Sequence, residues 1–269
     1  MRLWLALLGV FLLYAAVCFT VSRLIYRPTR YPRGWWHTQA DCNARDMWLQ
    51  SSDGVSLHAW WVESPGSRLA TLYLHGNGAN LSHRPGHLRE MAAAGTSVLL
   101  IDYRGYGKSA GRPTERGLYR DADAGYDRLV AMGYRPHQIV VHGESLGSAV
   151  AADLAARRPC AGLVLECPLT SLSAMAARIV PWLGGLFATG FNTRRKVAQV
   201  RVPLLVMHGD RDRTVPYAMG REVFAAGNQP KTFWTVPGAT HKTIVQDGGL
   251  RYRATLRAFY ESLADKQLN

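Results

Sequence analysis

Ser145 stands in Gly143-Glu144-Ser145-Leu146-Gly147, between the β-branched run Ile139-Val140-Val141 and an Ala-rich run that suits a helix. Gly-x-Ser-x-Gly at a strand-to-helix junction is the pattern of a nucleophile elbow, a strained turn that exposes a serine hydroxyl. The two glycines make sense where strand and helix approach too closely for a β-carbon. At the start of the helix, the Leu146 N–H points toward developing negative charge. A serine hydroxyl is a weak nucleophile until a base takes its proton and a third group orients that base.

Those partners are expected downstream, in the order acid then histidine, each just after a strand. Ligands and chemistry gather outside the carboxyl ends of parallel strands, so those loops are the place to look. After the apolar run 202–208 comes Gly209-Asp210-Arg211-Asp212-Arg213, with two competing carboxylates. Asp210 sits nearer the strand and suits a turn-shaping role, while Asp212 reaches further into the loop and is favoured by spacing. Glu166, at the end of another strand, is a distant third. After the run 231–236, Pro237-Gly238-Ala239-Thr240-His241 offers His241 as the base. His75 and His208 each precede a glycine at a strand end, which suits hydrogen bonding to loops. His142 lies inside a strand beside the elbow and reads as core. A second oxyanion donor is expected in His75-Gly76-Asn77-Gly78, where Asn77 is assigned and Gly78 is the alternative. No GxGxxG or Walker lysine supports phosphate binding by this glycine-containing loop.

The elements that must position these residues are legible as alternating patterns. Strands are expected at 46–50, 55–63, 70–75, 96–102, 138–143, 162–167, 202–208 and 231–236, and helices at about 82–94, 114–132, 146–157, 217–227 and 247–265. The first two strands alternate around Asp53-Gly54, a pair that suits a hairpin turn. The other six are continuous apolar runs, as in parallel sheets buried on both faces. Thr114 is a plausible N-cap, with Glu115 in the first turn. The fold class is α/β: an eight-stranded, mostly parallel, doubly wound sheet with an antiparallel N-terminal hairpin. Residues 168–201 form one insertion, long enough for a crossover helix and a short lid; an ordinary crossover is the plainer alternative.

Taken together, these motifs resemble the α/β-hydrolases of the Bem46-like group, which includes membrane-tethered serine hydrolases with short lids. The resemblance rests on His75-Gly76-Asn77-Gly78, Asp102-Tyr103-Arg104-Gly105-Tyr106-Gly107-Lys108-Ser109 and Gly143-Glu144-Ser145-Leu146-Gly147. His208-Gly209-Asp210-Arg211-Asp212 with Val215-Pro216, and Gly238-Ala239-Thr240-His241, complete it, over residues 45–265. It implies Ser145 as nucleophile, Asp212 as acid and His241 as base. It also implies that Asp102 to Ser109 is a structural turn in which Asp102 is not catalytic. Its members include esterases and thioesterases that remove acyl chains from proteins, so the resemblance does not name a substrate.

Residues 3–22 carry no charge, and the stretch is long enough to cross a bilayer. We expect an uncleaved transmembrane anchor in 1–24, a basic aromatic linker in 25–45 and the hydrolase domain in 46–269; a signal peptide with a cleavage site near Ala16-Val17-Cys18 is the competing reading. Arg23, Arg27, Arg30 and Arg33 follow the apolar run against Arg2 before it, which places the domain on the cytoplasmic side. Tyr31, Trp35 and Trp36 suit either an interfacial belt or packing on the domain.

The net charge of +13 invites a nucleic-acid reading, but the 27 arginines and five lysines are scattered without a basic tail or aromatic-interleaved patch. Attraction to anionic lipid headgroups fits the N-terminus better. Cys18, Cys42, Cys160 and Cys167 show no C-x-x-C spacing, so neither a zinc site nor a disulfide framework is indicated. Cys160 and Cys167 read as small buried apolar residues. The reading reached is a serine hydrolase of carboxylic esters or thioesters, acting on a small-molecule, lipid or acylated-protein substrate without metal or organic cofactor. Amide or peptide cleavage, acyl transfer and a non-catalytic scaffold are the competing functions.

Overall fold

The continuous apolar runs fold as the inner strands of one sheet because both of their faces are covered. In the computed structural model, residues 25–179 and 190–265 are described, with isolated positions before residue 25 (4, 7–9, 11, 12, 14 and 20). Eight strands form the sheet: β1 (Arg45–Gln50), β2 (Ser56–Val62), β3 (Ala70–Leu74), β4 (Ser97–Ile101), β5 (Ile139–Glu144), β6 (Gly162–Glu166), β7 (Leu204–Gly209) and β8 (Lys231–Val236). Their spatial order is β8-β7-β6-β5-β3-β4-β2-β1. Only β2 runs against its neighbours, pairing antiparallel with both β1 and β4. The other five pairings are parallel. The expected hairpin is therefore present, and its second strand joins the parallel sheet directly through β4.

After a helical turn at Thr38–Asp41, helices α1 (Pro85–Ala94), α2 (Glu115–Ala131), α3 (Leu146–Arg157), α4 (Leu172–Ile179), α5 (Thr193–Val197), α6 (Tyr217–Ala226) and α7 (Ile244–Asp265) follow in chain order among the described residues. Alternate strand residues point to opposite faces, so two cores form. Leu72, Leu99, Val141 and Leu165 meet α2, α3 and α6 on one side. Tyr73, Leu100, Val140 and Val164 meet α1 and α7 on the other. The Thr114 hydroxyl caps α2 by accepting from the Gly117 N–H at 3.0 Å. The expected helix at 82–94 is a short 3₁₀ turn, Leu81–His83, before α1 begins at Pro85, because proline is accommodated in the first helical turn. The span Ile244–Asp265 is broken at Gly249 (φ 49°, ψ −134°), so a short helical turn from Ile244 precedes the expected start at 247 and the long C-terminal helix follows the kink.

β3 lies between β4 and β5, so the chain reverses its direction of travel across the sheet there. The crevice at such a switch point is where open α/β sheets bind ligands. Among the described residues, no helix is long and apolar enough to cross a membrane; the expected anchor falls mostly outside the described residues, as does 180–189 of the insertion. The described ends of that insertion hold α4 and α5.

Candidate active site

Ser145 caps the junction of β5 and α3 with φ 53° and ψ −117°, a region that costs an ordinary residue about 1–3 kcal/mol. The surrounding structure imposes it. The Ser145 N–H donates to the Glu166 carbonyl at 2.8 Å, and the Ser148 hydroxyl donates to the Gly143 carbonyl at 2.8 Å. A β-carbon on Gly143 would lie 2.3 Å from the Gly147 carbonyl oxygen, and one on Gly147 would lie 1.9 Å from that of Leu74. Both glycines are thus required by close backbone approach, and Ser145 is left 6% exposed at the top of the turn.

The loops after β7 and β8 bring Asp212 and His241 to this serine. His241 Nδ1 lies 2.7 Å from Asp212 Oδ2, and its Nε2 lies 3.0 Å from Ser145 Oγ. An ionised carboxylate only accepts, so Nδ1 carries the proton and Nε2 offers its lone pair to the serine O–H. Asp212 Oδ1 accepts the Thr214 and Val215 N–H groups at 2.8 and 2.9 Å. Burial opposes ionisation of Asp212, but hydrogen bonds from His208 and His241 outweigh it and hold the carboxyl well below its usual range. His208 Nε2 lies 3.0 Å from the Val215 carbonyl and 3.3 Å from Asp212 Oδ2, which ties strand end to loop. Asp210 accepts the Gly238 N–H at 2.7 Å and so joins the two loops, apart from the imidazole. Glu166 is engaged elsewhere, with His87 at 3.0 Å and Tyr252 at 2.9 Å.

The loop after β3 passes beside the elbow: a β-carbon on Gly76 would lie 3.3 Å from Ser145 Cβ. Among the described residues, the Asn77 N–H has no hydrogen-bond partner, and Leu146 opens α3 with its N–H among the four orphan donors of a helix start. His75 and Asp102 sit fully buried beneath, where His75 Nδ1 meets the Gly76 carbonyl at 2.7 Å and Asp102 accepts the Leu81 N–H at 2.8 Å.

The sequence family described as "Serine aminopeptidase, S33" matches residues 66–193 and 179–247. An uncharacterised protein of Mycobacterium tuberculosis is 38% identical over 224 residues, 81% of this chain and 79% of that protein. The α/β hydrolase domain-containing protein WAV2 of Arabidopsis thaliana is 34% identical over 246 residues, 82% of this chain and 80% of that one. The chain belongs to this α/β-hydrolase family. Among solved structures, an esterase of Pyrococcus furiosus superposes with a TM-score of 0.72 at 24% identity, covering 88% of this chain and 98% of that one, a likeness of fold.

Three features of this hydrolase go beyond what was read from its sequence. Glu144, the variable residue of the elbow, forms a two-point ion pair with Arg84 (Nε–Oε2 2.6 Å, Nη2–Oε1 3.1 Å) and accepts the Tyr73 hydroxyl at 2.8 Å. Burial would raise its pKa; the charges of Arg84 and His87 and the Arg84 hydrogen bonds together outweigh that and lower it to about 2. Cys167, read as a plain core residue, lies against the Asp212 carboxylate, and burial followed by the charges of Glu166 and Asp212 pushes its thiol well up. Cys167, Asp212 and His241 offer donor atoms within 4.8 Å of one another. A thiol held neutral and an Nδ1 already donating to Asp212 make this a hydrogen-bonded cluster and leave it poorly suited to hold a metal ion.

The third feature is the segment 25–33, which runs along the loop after β3. Arg27 N–H donates to the Asn77 carbonyl and Thr29 N–H to the Ala79 carbonyl, both at 3.0 Å, in a short parallel pairing. The Asn77 carboxamide donates to the Ile25 carbonyl at 2.9 Å, and the Tyr106 hydroxyl to the Asn77 carbonyl at 2.8 Å. Trp36 packs against Trp60 and His58, whereas Tyr31 and Trp35 remain exposed. A polar backbone pairing of this kind has no hydropathy signal by which it could be read from sequence.

Proposed function

We propose that the protein is a serine hydrolase of carboxylic esters or thioesters working through Ser145, His241 and Asp212. The observation that carries this reading is the single imidazole bridging Ser145 Oγ and Asp212 Oδ2 at 3.0 and 2.7 Å. His241 accepts the hydroxyl proton as Ser145 attacks the acyl carbon, and Asp212 stabilises the imidazolium that forms. The Asn77 and Leu146 N–H groups receive the negative charge on the carbonyl oxygen. His241 returns the proton to the leaving oxygen or sulfur, and water, activated by the same imidazole, then hydrolyses the acyl-enzyme. The uncharged stretch at 3–22 and the arginines after it support a tether of the Bem46-like kind, with the domain on the cytoplasmic side and lipid-like or acylated substrates within reach.

The test is labelling of the full chain by a fluorophosphonate, comparing wild type with Ser145→Ala and His241→Ala, followed by 4-nitrophenyl esters and matched thioesters of increasing acyl length. Labelling and turnover that vanish in Ser145→Ala support the reading; a folded wild type that is neither labelled nor active sinks it. A second reading, cleavage of amides or peptides, draws on the aminopeptidase named in the family description. Aminoacyl 4-nitroanilide turnover exceeding that of the esters would favour it.

A further inference from the structure

The backbone of residues 25–35 is taken up by the domain, while many of its side chains are not. Beyond the pairing with Asn77 and Ala79, the Tyr31 N–H donates to the Gly107 carbonyl at 2.9 Å and the Trp35 N–H to Ser82 Oγ at 2.8 Å. The Asn80 carboxamide donates to the Thr29 and Arg33 carbonyls at 2.9 and 3.1 Å. Arg27, Arg30, Tyr31, Arg33 and Trp35 nevertheless face solvent, with Tyr31 57% and Trp35 55% exposed. Arg30 donates only to the Gly105 and Gly111 carbonyls, which leaves its charge unpaired. Among the described residues, none of these three arginines forms an ion pair, whereas Lys108, beside the Tyr31 ring, meets Asp46. The chain has no acidic residue before Asp41, and Asp46 is held by Trp60 and His58 as well as Lys108. Unpaired arginines with exposed Tyr and Trp, directly after an uncharged run, have the composition of a membrane interface.

Chain length fixes where this surface lies. The uncharged run ends at Ser22, and Ile25, whose carbonyl accepts the Asn77 carboxamide at 2.9 Å, is three residues further on. Three residues reach at most about 11 Å. With the run in a bilayer, the Asn77 loop stands no further than that from the level at which the chain leaves the hydrocarbon. Ser145 is beside that loop, since a β-carbon on Gly76 would lie 3.3 Å from its Cβ.

We propose that the exposed side of residues 25–35 seats on an anionic phospholipid bilayer and holds the Asn77 loop, with Ser145 beside it, at the membrane surface. The inference rests on the tether and triad of the proposed function; it adds the face that docks and the depth at which the acyl carbon is met. The arginines meet lipid phosphates and carboxylates, and Tyr31 and Trp35 enter the headgroup layer. An ester or thioester carried by the bilayer then reaches the oxyanion donors without leaving the membrane.

The test uses the full chain reconstituted in phosphatidylcholine vesicles with and without phosphatidylserine. The first arm reads position without chemistry, through quenching of tryptophan emission by acyl-brominated phosphatidylcholine. Quenching is expected to be greater on the anionic vesicles, and the surplus to disappear in Trp35→Phe and in R27E/R33E, neither of which alters the backbone pairing. The second arm compares kcat/KM for 4-nitrophenyl palmitate carried in the vesicles with that for 4-nitrophenyl butyrate in solution. On anionic vesicles R27E/R33E is expected to lower this ratio by about ten-fold or more, and added salt to lower it in wild type. Trp35 unquenched in wild type, or a surplus unchanged in R27E/R33E, overturns the proposal and leaves the face to an acidic protein partner. A palmitate-to-butyrate ratio equal in wild type and R27E/R33E overturns the placing of the site at that surface. Extraction of the chain from the vesicles by alkaline carbonate would instead strike the tether reading. Absence of fluorophosphonate labelling and of butyrate turnover would strike the triad reading, while the quenching arm still decides whether the face docks.

Discussion

Asp212, buried beside the elbow, and Glu144, half-buried within it, are both carboxylates, yet their partners give them different work. Asp212 faces an imidazole, with Oδ2 2.7 Å from His241 Nδ1; in the proposed reaction its charge orients His241 and stabilises the imidazolium. Replacing it by Asn keeps the shape and removes the charge; kcat for 4-nitrophenyl butyrate is expected to fall by on the order of 10⁴-fold with the fold intact by circular dichroism. Glu144 faces Arg84, and the pair braces the residue before the nucleophile. Its pKa is lowered from 4.5 to about 2 in the folded protein, so it contributes stability above its unfolded value that is lost as pH falls from 4.5 toward 2. In Glu144→Gln that contribution is gone, and urea unfolding at pH 3 and pH 6 should show the wild-type advantage growing with pH. An equal difference at both values would place the stabilisation in shape instead of charge.

The elbow and the loop facing it are set by backbone contacts between elements. The β-carbon that Gly147→Ala adds would lie 1.9 Å from the Leu74 carbonyl oxygen, between α3 and β3. We expect it to cost about 3 kcal/mol or more and to lower the melting temperature sharply. The segment 25–33 braces the Asn77 loop from outside, so its damage should read out in kcat more than in KM. Thr29→Pro removes the N–H that meets the Ala79 carbonyl, and Tyr106→Phe removes the hydroxyl on the Asn77 carbonyl. Each is expected to lower kcat by roughly ten-fold, since misplacement of about 1 Å has costs of that order or more. Unchanged kinetics in both variants would show that the loop holds its place without the segment.

Across the whole molecule, buried charge reinforces joints that hydrophobic packing also makes: Leu49 and Leu57 of the hairpin share one core with Leu118 and Ala122 of α2. Arg104 meets Asp121 on α2 at 2.8 Å and Asp53 of the β1–β2 turn at 2.8 and 2.9 Å. The Asp121 side chain is wholly buried. Arg104→Met strands that carboxylate, and an expected loss of about 3–5 kcal/mol follows from an uncompensated buried charge. Urea unfolding of the variant checks it; replacing Asp121 by Asn as well should recover part of the loss.

The eight strands, their helices and the placing of Ser145, Asp212 and His241 on loops after strand ends were legible because each depends on local pattern: apolar runs, turn residues and short motifs. Gly143 and Gly147 announced the elbow for the same reason, since only glycine survives the backbone contact that the turn requires. Spacing could favour Asp212 over Asp210 but not decide between them, for two carboxylates two residues apart differ only in which loop neighbour each meets. In the tertiary structure Asp212 meets His241 and Asp210 meets the Gly238 amide. Tertiary structure likewise decided the Arg84–Glu144 pair and the bracing of the Asn77 loop by residues 25–33. Each of these joins residues far apart in sequence or on separate loops, through hydrogen bonds and charges that leave no periodic trace along the chain.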